Sequence, residues 1–168
     1  VSIVYGEMFL TESVKFFWGC TVGEQATFEV SYTVEGADFS IAGEGAARLK
    51  RVLQQVGLPP ALVRRIALAT YEAELNVVIH AYRGVIKARV SSALVEVWVE
   101  DQGPGIPNVE LAMKEGYSTA PDHVRALGFG AGMGLPNIRR NADALKITTV
   151  VGEGTALYMT FAGPSSEV

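Results

Sequence analysis

Glu72, Asn76 and His80 stand four residues apart in a stretch of helical periodicity. Each step of four turns an α-helix by about 400°, so the three side chains share one face. Glu74 lies about 200° round the same helix from Glu72 and cannot join them. A carboxylate in such a row can take a proton from a hydroxyl or a water. An amide carbonyl one turn further on suits magnesium, which prefers oxygen ligands and keeps several waters beside phosphate oxygens. The bland alternative is a polar stripe packed under a loop. His80 by itself reads first as a hydrogen-bonded structural histidine.

Three later segments carry chemistry of a matching kind. Val95, Val97 and Val99 face one way on a strand, and Asp101 continues that face. A carboxylate aimed toward an apolar core is costly unless a donor meets it. The exocyclic amine of adenine is such a donor. Gly103 and Gly105, followed by Ile106, let the backbone turn and a flat ring approach closely. An ordinary Asp-Gly-Pro-Gly turn is the alternative. Gly128, Gly130, Gly132 and Gly134 can wrap phosphates through backbone N–H groups. Phe129, Met133 and Leu135 between and after those glycines argue against a plain linker. Leu135-Pro136 then opens a helix whose free N–H groups favour anions. Ser118 and Thr119 are hydroxyls for the phosphates or, more simply, surface loop residues. Thr155 shares a strand face with Leu157, Met159 and Phe161. Its hydroxyl therefore needs an inward partner, either a water linked to the base or a cross-strand hydrogen bond.

These groups need elements to hold them. Alternation of Phe28, Val30, Tyr32 and Val34 with Glu29, Ser31, Thr33 and Glu35 predicts a strand with one buried face. Gly45, Leu49, Val52, Leu53 and Val56 predict a helix ending near Gly57. Pro59-Pro60 opens the next helix, with Leu62, Ile66, Ala69, Ala73 and Val77 as its buried stripe. Strands follow at about 85–90 and 94–100. Residues 104–134 are long and glycine-rich, with a short helix at about 109–114; such a loop inside a domain is usually functional. A helix over about 135–142 and strands at about 145–151 and 155–161 complete the chain. This order predicts an α+β two-layer sandwich, one mixed sheet with helices on a single face.

The 168 residues, 49% of them apolar, suit one domain. A formal net charge of −4 and the absence of a basic stripe argue against nucleic acid. Cys20 is the single cysteine and His80 and His123 are the only histidines, too few for an internal disulfide or a typical zinc site. No apolar run reaches the roughly 20 residues of a membrane helix. Residues 1–26 lack the order of the rest: Glu7, Glu12 and Lys15 interrupt their apolar runs. They read as an N-terminal extension of unknown role. Phe17-Trp18-Gly19-Cys20 faintly suggests a lipoprotein site, without a basic n-region or clean apolar core. Residues 27–163 form the functional domain and 164–168 a tail.

Taken in order, the four segments resemble the N, G1, G2 and G3 boxes of the GHKL (Bergerat-fold) ATPase superfamily. The spacing is most similar to the small bacterial anti-sigma-factor serine/threonine kinases. Glu100-Asp101-Gln102-Gly103-Pro104-Gly105-Ile106-Pro107, Ala112-Met113 and Gly116-Tyr117-Ser118-Thr119 resemble the switch kinases of stress signalling. The resemblance runs from about Thr27 to Gly163. It implies Glu72 as general base, Asn76 as the Mg²⁺ ligand and Asp101 as the reader of adenine. Gly103 and Gly105 would line the pocket, Gly130, Gly132 and Gly134 would close a lid on the phosphates, and Thr155 would support the adenine base. His80, Ile106, Ser118, Thr119 and Met133 join the candidate nucleotide-binding set. Relatives from spore formers tend to carry basic side chains in the lid; Ala120 and Gly130-Ala131 occupy those places here, with Arg125 the nearest substitute.

The implied activity is ATP- and Mg²⁺-dependent phosphorylation of a small STAS-domain antagonist protein by a cytoplasmic partner-switching kinase. A sigma factor is a second implied partner, and a homodimer stays open. The rival reading is a non-catalytic ATP-binding switch that sequesters a protein.

Overall fold

A computed structural model describes residues 4–11, 14–20 and 27–163, the first two stretches as backbone course and strand pairing. The expected tail at 164–168 lies outside the described residues. Two strands, β1 (Val4–Thr11) and β2 (Val14–Cys20), form an antiparallel hairpin laid on the edge of β3 (Thr27–Glu35). There follow α1 (Glu44–Gln55), α2 (Pro60–His80), β4 (Arg83–Val90) and β5 (Leu94–Gln102). The long loop carries two short helices, α3 (Val109–Ala112) and α4 (Asp122–Ala126). It leads into α5 (Gly134–Asn141), β6 (Ala144–Val150) and β7 (Gly154–Ala162). Sequence periodicity did not predict α4 or the hairpin.

The strands lie in the order β1-β2-β3-β4-β5-β7-β6. Every neighbouring pair is antiparallel, so the sheet is not mixed as expected. The reason is the placement of β7. The chain leaves β5, crosses through the loop and α5, and enters β6 in the same direction as β5. β7 then turns back and inserts between them, pairing antiparallel to both.

Alternation decides what each strand buries. Val30, Tyr32 and Val34 on β3, Ile86, Ala88 and Val90 on β4, and Val95, Val97 and Val99 on β5 turn inward with Leu157, Met159 and Phe161 on β7. Against this face pack Leu49 and Leu53 of α1, Ile66, Ala69, Ala73 and Val77 of α2, and Ile138 of α5. The opposite face is held by lateral pairs instead of a second layer. Arg89 binds Glu29 at 2.8 Å and lies over the Trp98 ring, while the Tyr158 hydroxyl donates to Glu96 at 2.6 Å. Among the described residues helices therefore cover one face only, as an α+β sandwich requires.

Glu74 explains how α1 is placed. Gly43 precedes α1 in a left-handed conformation and no side chain of its own turn caps the helix. The Glu74 carboxylate reaches across from α2 and accepts from the N–H groups of Gly43, Gly45 and Ala46 at 3.0, 3.1 and 2.8 Å. The orphan amides of a helix start and its positive end are thus met by a buried acid on the neighbouring helix.

A chain beginning at Thr27 is expected to keep its fold and its nucleotide affinity, because every candidate site residue lies beyond the hairpin. It would bare the β3 edge, a template for strand pairing. Titration calorimetry with ATP checks the outcome; lost binding would show that the hairpin completes the functional unit.

Candidate functional site

The candidate residues gather round one cavity of about 600 Å³ between α2, the end of β5, β7 and the long loop. That volume is in the range of small-molecule sites. A second concavity of about 780 Å³ lies along α1 and α2, but no carboxylate and no glycine-rich loop lines it. The chemistry therefore belongs to the first.

α2 supplies one wall. Glu72, Asn76 and His80 all line the cavity, as their four-residue spacing requires, and Glu74 points away to α1. The Asn76 side chain has no hydrogen-bond partner among the described residues, which leaves its carbonyl free for a ligand. Gly134 begins α5 directly above it: a first side-chain carbon at Gly134 would sit 2.9 Å from Asn76 Oδ1. Burial holds the His80 pKa below the ordinary histidine value, so at neutral pH it is a neutral imidazole in the wall.

β5 and β7 supply the floor. Asp101 Oδ1 accepts from the Thr155 N–H at 3.2 Å, and no protein group meets Oδ2 among the described residues. Burial pushes its carboxyl above the ordinary value, and the Thr155 amide pulls it part of the way back. The turn after Asp101 is fixed by Thr149, which sequence reasoning missed. Its hydroxyl accepts from Ile106 N–H at 2.8 Å and donates to the Gly154 carbonyl at 3.1 Å. With that proton committed, the 3.2 Å contact between the two threonine hydroxyls makes Thr155 the donor. The cross-strand alternative for Thr155 is thus realised, and its remaining oxygen lone pair can face the cavity it lines. Gly105 has φ +68° and lies so close to Val150 that a side chain would strike the Val150 carbonyl. Gly103 does not line the cavity; it is buried behind the wall against Ala81, and its N–H donates to the Glu153 carbonyl at 3.2 Å.

The loop forms the roof. Ile106, Ser118, Thr119, Gly130, Gly132, Met133 and Gly134 all line the cavity. The loop's two limbs are tied by Gly116 N–H to the Gly132 carbonyl at 2.9 Å. Its tip is held by Phe129 stacked on Phe39 of the β3–α1 connection, centroids 5.4 Å apart. Arg125 does not line the cavity; it donates to the Ser118 carbonyl at 3.1 Å. No side chain caps the start of α5, so the amides of Gly134 and Leu135 keep their donors. Behind Glu72, and outside the lining, Asn137 Nδ2 donates to Glu72 Oε1 at 2.7 Å. Sequence reading missed Asn137 as well, since only the contact across 65 residues marks it.

A magnesium ion fits this donor set. No group of three His, Cys, Asp or Glu side chains stands together among the described residues, so these form no all-protein cage of that kind. One unpartnered amide carbonyl beside a glycine-rich roof is what a cation held mainly by substrate oxygens and water needs.

Comparison with known proteins agrees with the geometry. Residues 42–161 match the histidine kinase-like ATPase domain. The chain is 31% identical over 112 residues to the serine/threonine-protein kinase RsbT of Bacillus subtilis, covering 64% of this chain and 78% of that one. It is 35% identical over 95 residues to the anti-sigma F factor of Priestia megaterium, covering 52% and 61% of the two chains. To the anti-sigma F factor of Thermoanaerobacter sp. it is 33% identical over 100 residues, covering 56% and 66%. The chain spans somewhat less than two thirds of those two anti-sigma F factors. No helix among the described residues is long and apolar enough to cross a membrane. A helix bearing Glu72 and Asn76, an acid at a strand end and a glycine roof thus coincide with a match over most of the chain, and the protein belongs to the histidine kinase-like ATPase family.

Proposed function

We propose that this protein is an ATP-dependent serine/threonine kinase of the partner-switching type. Its substrate would be a small STAS-domain antagonist, with a sigma factor as a second partner, in the ATP-rich cytoplasm. The observation that carries the reading is Glu72, Asn76 and Asp101 lining one cavity, with Asn76 against Gly134. Similarity to a serine/threonine kinase and to anti-sigma F factors supports the substrate class.

In this reading Asp101 Oδ2 accepts from the adenine amine, and Gly130, Gly132 and Gly134 present their amides to the phosphates. Asn76 would hold Mg²⁺ together with phosphate oxygens, and the ion would supply charge neutralisation at the transferred group. Glu72 takes the proton of a serine or threonine hydroxyl while that oxygen attacks the γ-phosphorus. The bond to the β-phosphate bridge oxygen breaks, and ADP leaves. The test is incubation with labelled ATP and purified STAS-domain proteins. Label on a serine or threonine supports the kinase. Tight ATP binding with no transfer to any partner favours the sequestering switch, a reading helped by Arg125 being engaged with the Ser118 carbonyl and outside the cavity lining.

Asp101→Asn separates nucleotide reading from stability. The asparagine oxygen can keep the Thr155 N–H, which turns its NH₂ toward the adenine amine and sets donor against donor. Losing a hydrogen bond to a charged acceptor costs roughly 1.5–3 kcal/mol, so ATP affinity should fall at least about tenfold by calorimetry. Stability of the nucleotide-free protein should move the other way. The folded pKa of Asp101 is raised, so between the unfolded and folded values the native state binds more protons, and stability falls as pH rises through that window. Asparagine removes this penalty above the window. Thermal melts at neutral pH without nucleotide should therefore show the variant at or above wild type.

A further inference from the structure

We propose that Asn137 is a positioning residue that fixes the Glu72 carboxylate for proton abstraction, with Arg140 setting the direction of its amide. The proposal rests on the reading of Glu72 as the base. The Asn137 Nδ2 to Glu72 Oε1 bond of 2.7 Å is part-buried and joins the first turns of α5 to the middle of α2. Arg140 Nη1 meets Asn137 Oδ1 at 3.3 Å. An arginine only donates and a carboxylate only accepts, so the amide is oriented from both sides. The Asn137 backbone is fixed too: its N–H donates to the Met133 carbonyl and its carbonyl accepts from Asn141 Nδ2, both at 2.8 Å.

The terminal torsion of a free glutamate is broad and nearly two-fold. A donor on Oε1 freezes it and leaves Oε2 to receive the proton. A neutral amide does this without the strong loss of basicity that a lysine or arginine in the same place would cause. Asn137 sits outside the cavity lining, so it acts through Glu72 and not on the substrate. It also sits three residues beyond Gly134, the last glycine of the roof, so one short helix joins the roof to the Glu72 contact. Arg140 continues the chain to Glu115 on the roof's other limb. Both of those side chains are more than half exposed, at 53% and 60%, so that outer pair adds little. The part-buried bond to Glu72 carries the effect.

The experiment follows single-turnover transfer of label from Mg-ATP to a purified STAS-domain protein by the full chain, with ATP affinity measured by calorimetry. Asn137→Ala should bind ATP as wild type does and turn over roughly tenfold more slowly, the loss expected for one hydrogen bond to a charged group. Asn137→Asp is nearly isosteric and places a second carboxylate against Glu72, so the rise of rate with pH should shift to higher pH. A role confined to packing α5 would lower stability and leave that profile in place. Glu72→Gln is run beside them. Should Glu72→Gln turn over like wild type, the base reading fails and this proposal falls with it. Should Glu72→Gln be slow while both Asn137 variants match wild type in rate and pH profile, the positioning role alone is overturned.

Discussion

Glu72→Gln is expected to leave ATP bound and to slow phosphoryl transfer by roughly 10²–10⁴, the usual contribution of a positioned base. The substitution keeps the shape of the side chain and an oxygen for the Asn137 amide, so the α2–α5 contact survives. What it removes is the one carboxylate that lines the cavity from α2. Single-turnover transfer and calorimetric affinity, measured on the same preparation, separate chemistry from binding. A wild-type transfer rate would assign the proton to another acceptor.

Glu74→Ala, two residues along, should fail differently. It removes the acceptor of three amides, two of them on buried residues, at the start of α1. Each buried donor left unmet costs about 1–3 kcal/mol, partly recovered where water can enter, so a loss of roughly 2–5 kcal/mol is expected. That is a large part of a typical stability of about 5–15 kcal/mol. Tyr32 packs into the same corner, held neutral chiefly by burial and then by the Glu74 charge, and its hydroxyl has no hydrogen-bond partner among the described residues. Urea melts should show a lower midpoint with an unchanged slope. A midpoint within error of wild type would mean that solvent or Tyr32 replaces the cap. The two acids thus divide by helix face: one serves the cavity, the other builds the wall behind it.

That division was half legible in the sequence. Rotation per residue puts Glu74 off the Glu72 face, but it cannot say that α1 begins there. The inward faces of β3, β4, β5 and β7 were readable because each strand alternates. Asp101 was readable because it continues the valine face. β1 and β2 were not, since Glu7, Glu12 and Lys15 break the pattern and their pairing depends on β3. Thr149 and Asn137 look like ordinary strand and helix residues. Their importance comes from register, Thr149 opposite Thr155, and from a helix contact across the fold. The sheet was misread as mixed because no local signal reveals that β7 inserts between β5 and β6. The burial of Gly103 likewise follows from where Ala81 lies, not from its own turn.

The insertion of β7 has a consequence for how such a protein can diversify. Every strand from β3 to β7 is locked in register through its neighbours, and a slip of one residue would turn each side chain to the wrong face. The segment between β5 and α5 is in register with nothing. It is clamped where Gly132 meets residues 116 and 117, where Gly134 meets Asn76 and where Phe129 stacks on Phe39. Between those clamps, doubling the length of a flexible loop adds only about 0.6 kcal/mol of closure entropy. Insertions and new surface chemistry can accumulate in residues 121–127, exposed but for Val124 and outside the cavity lining, while the Asp101 end of the site stays as it is. One scaffold can in this way change whom it recognises without relearning how to hold its nucleotide.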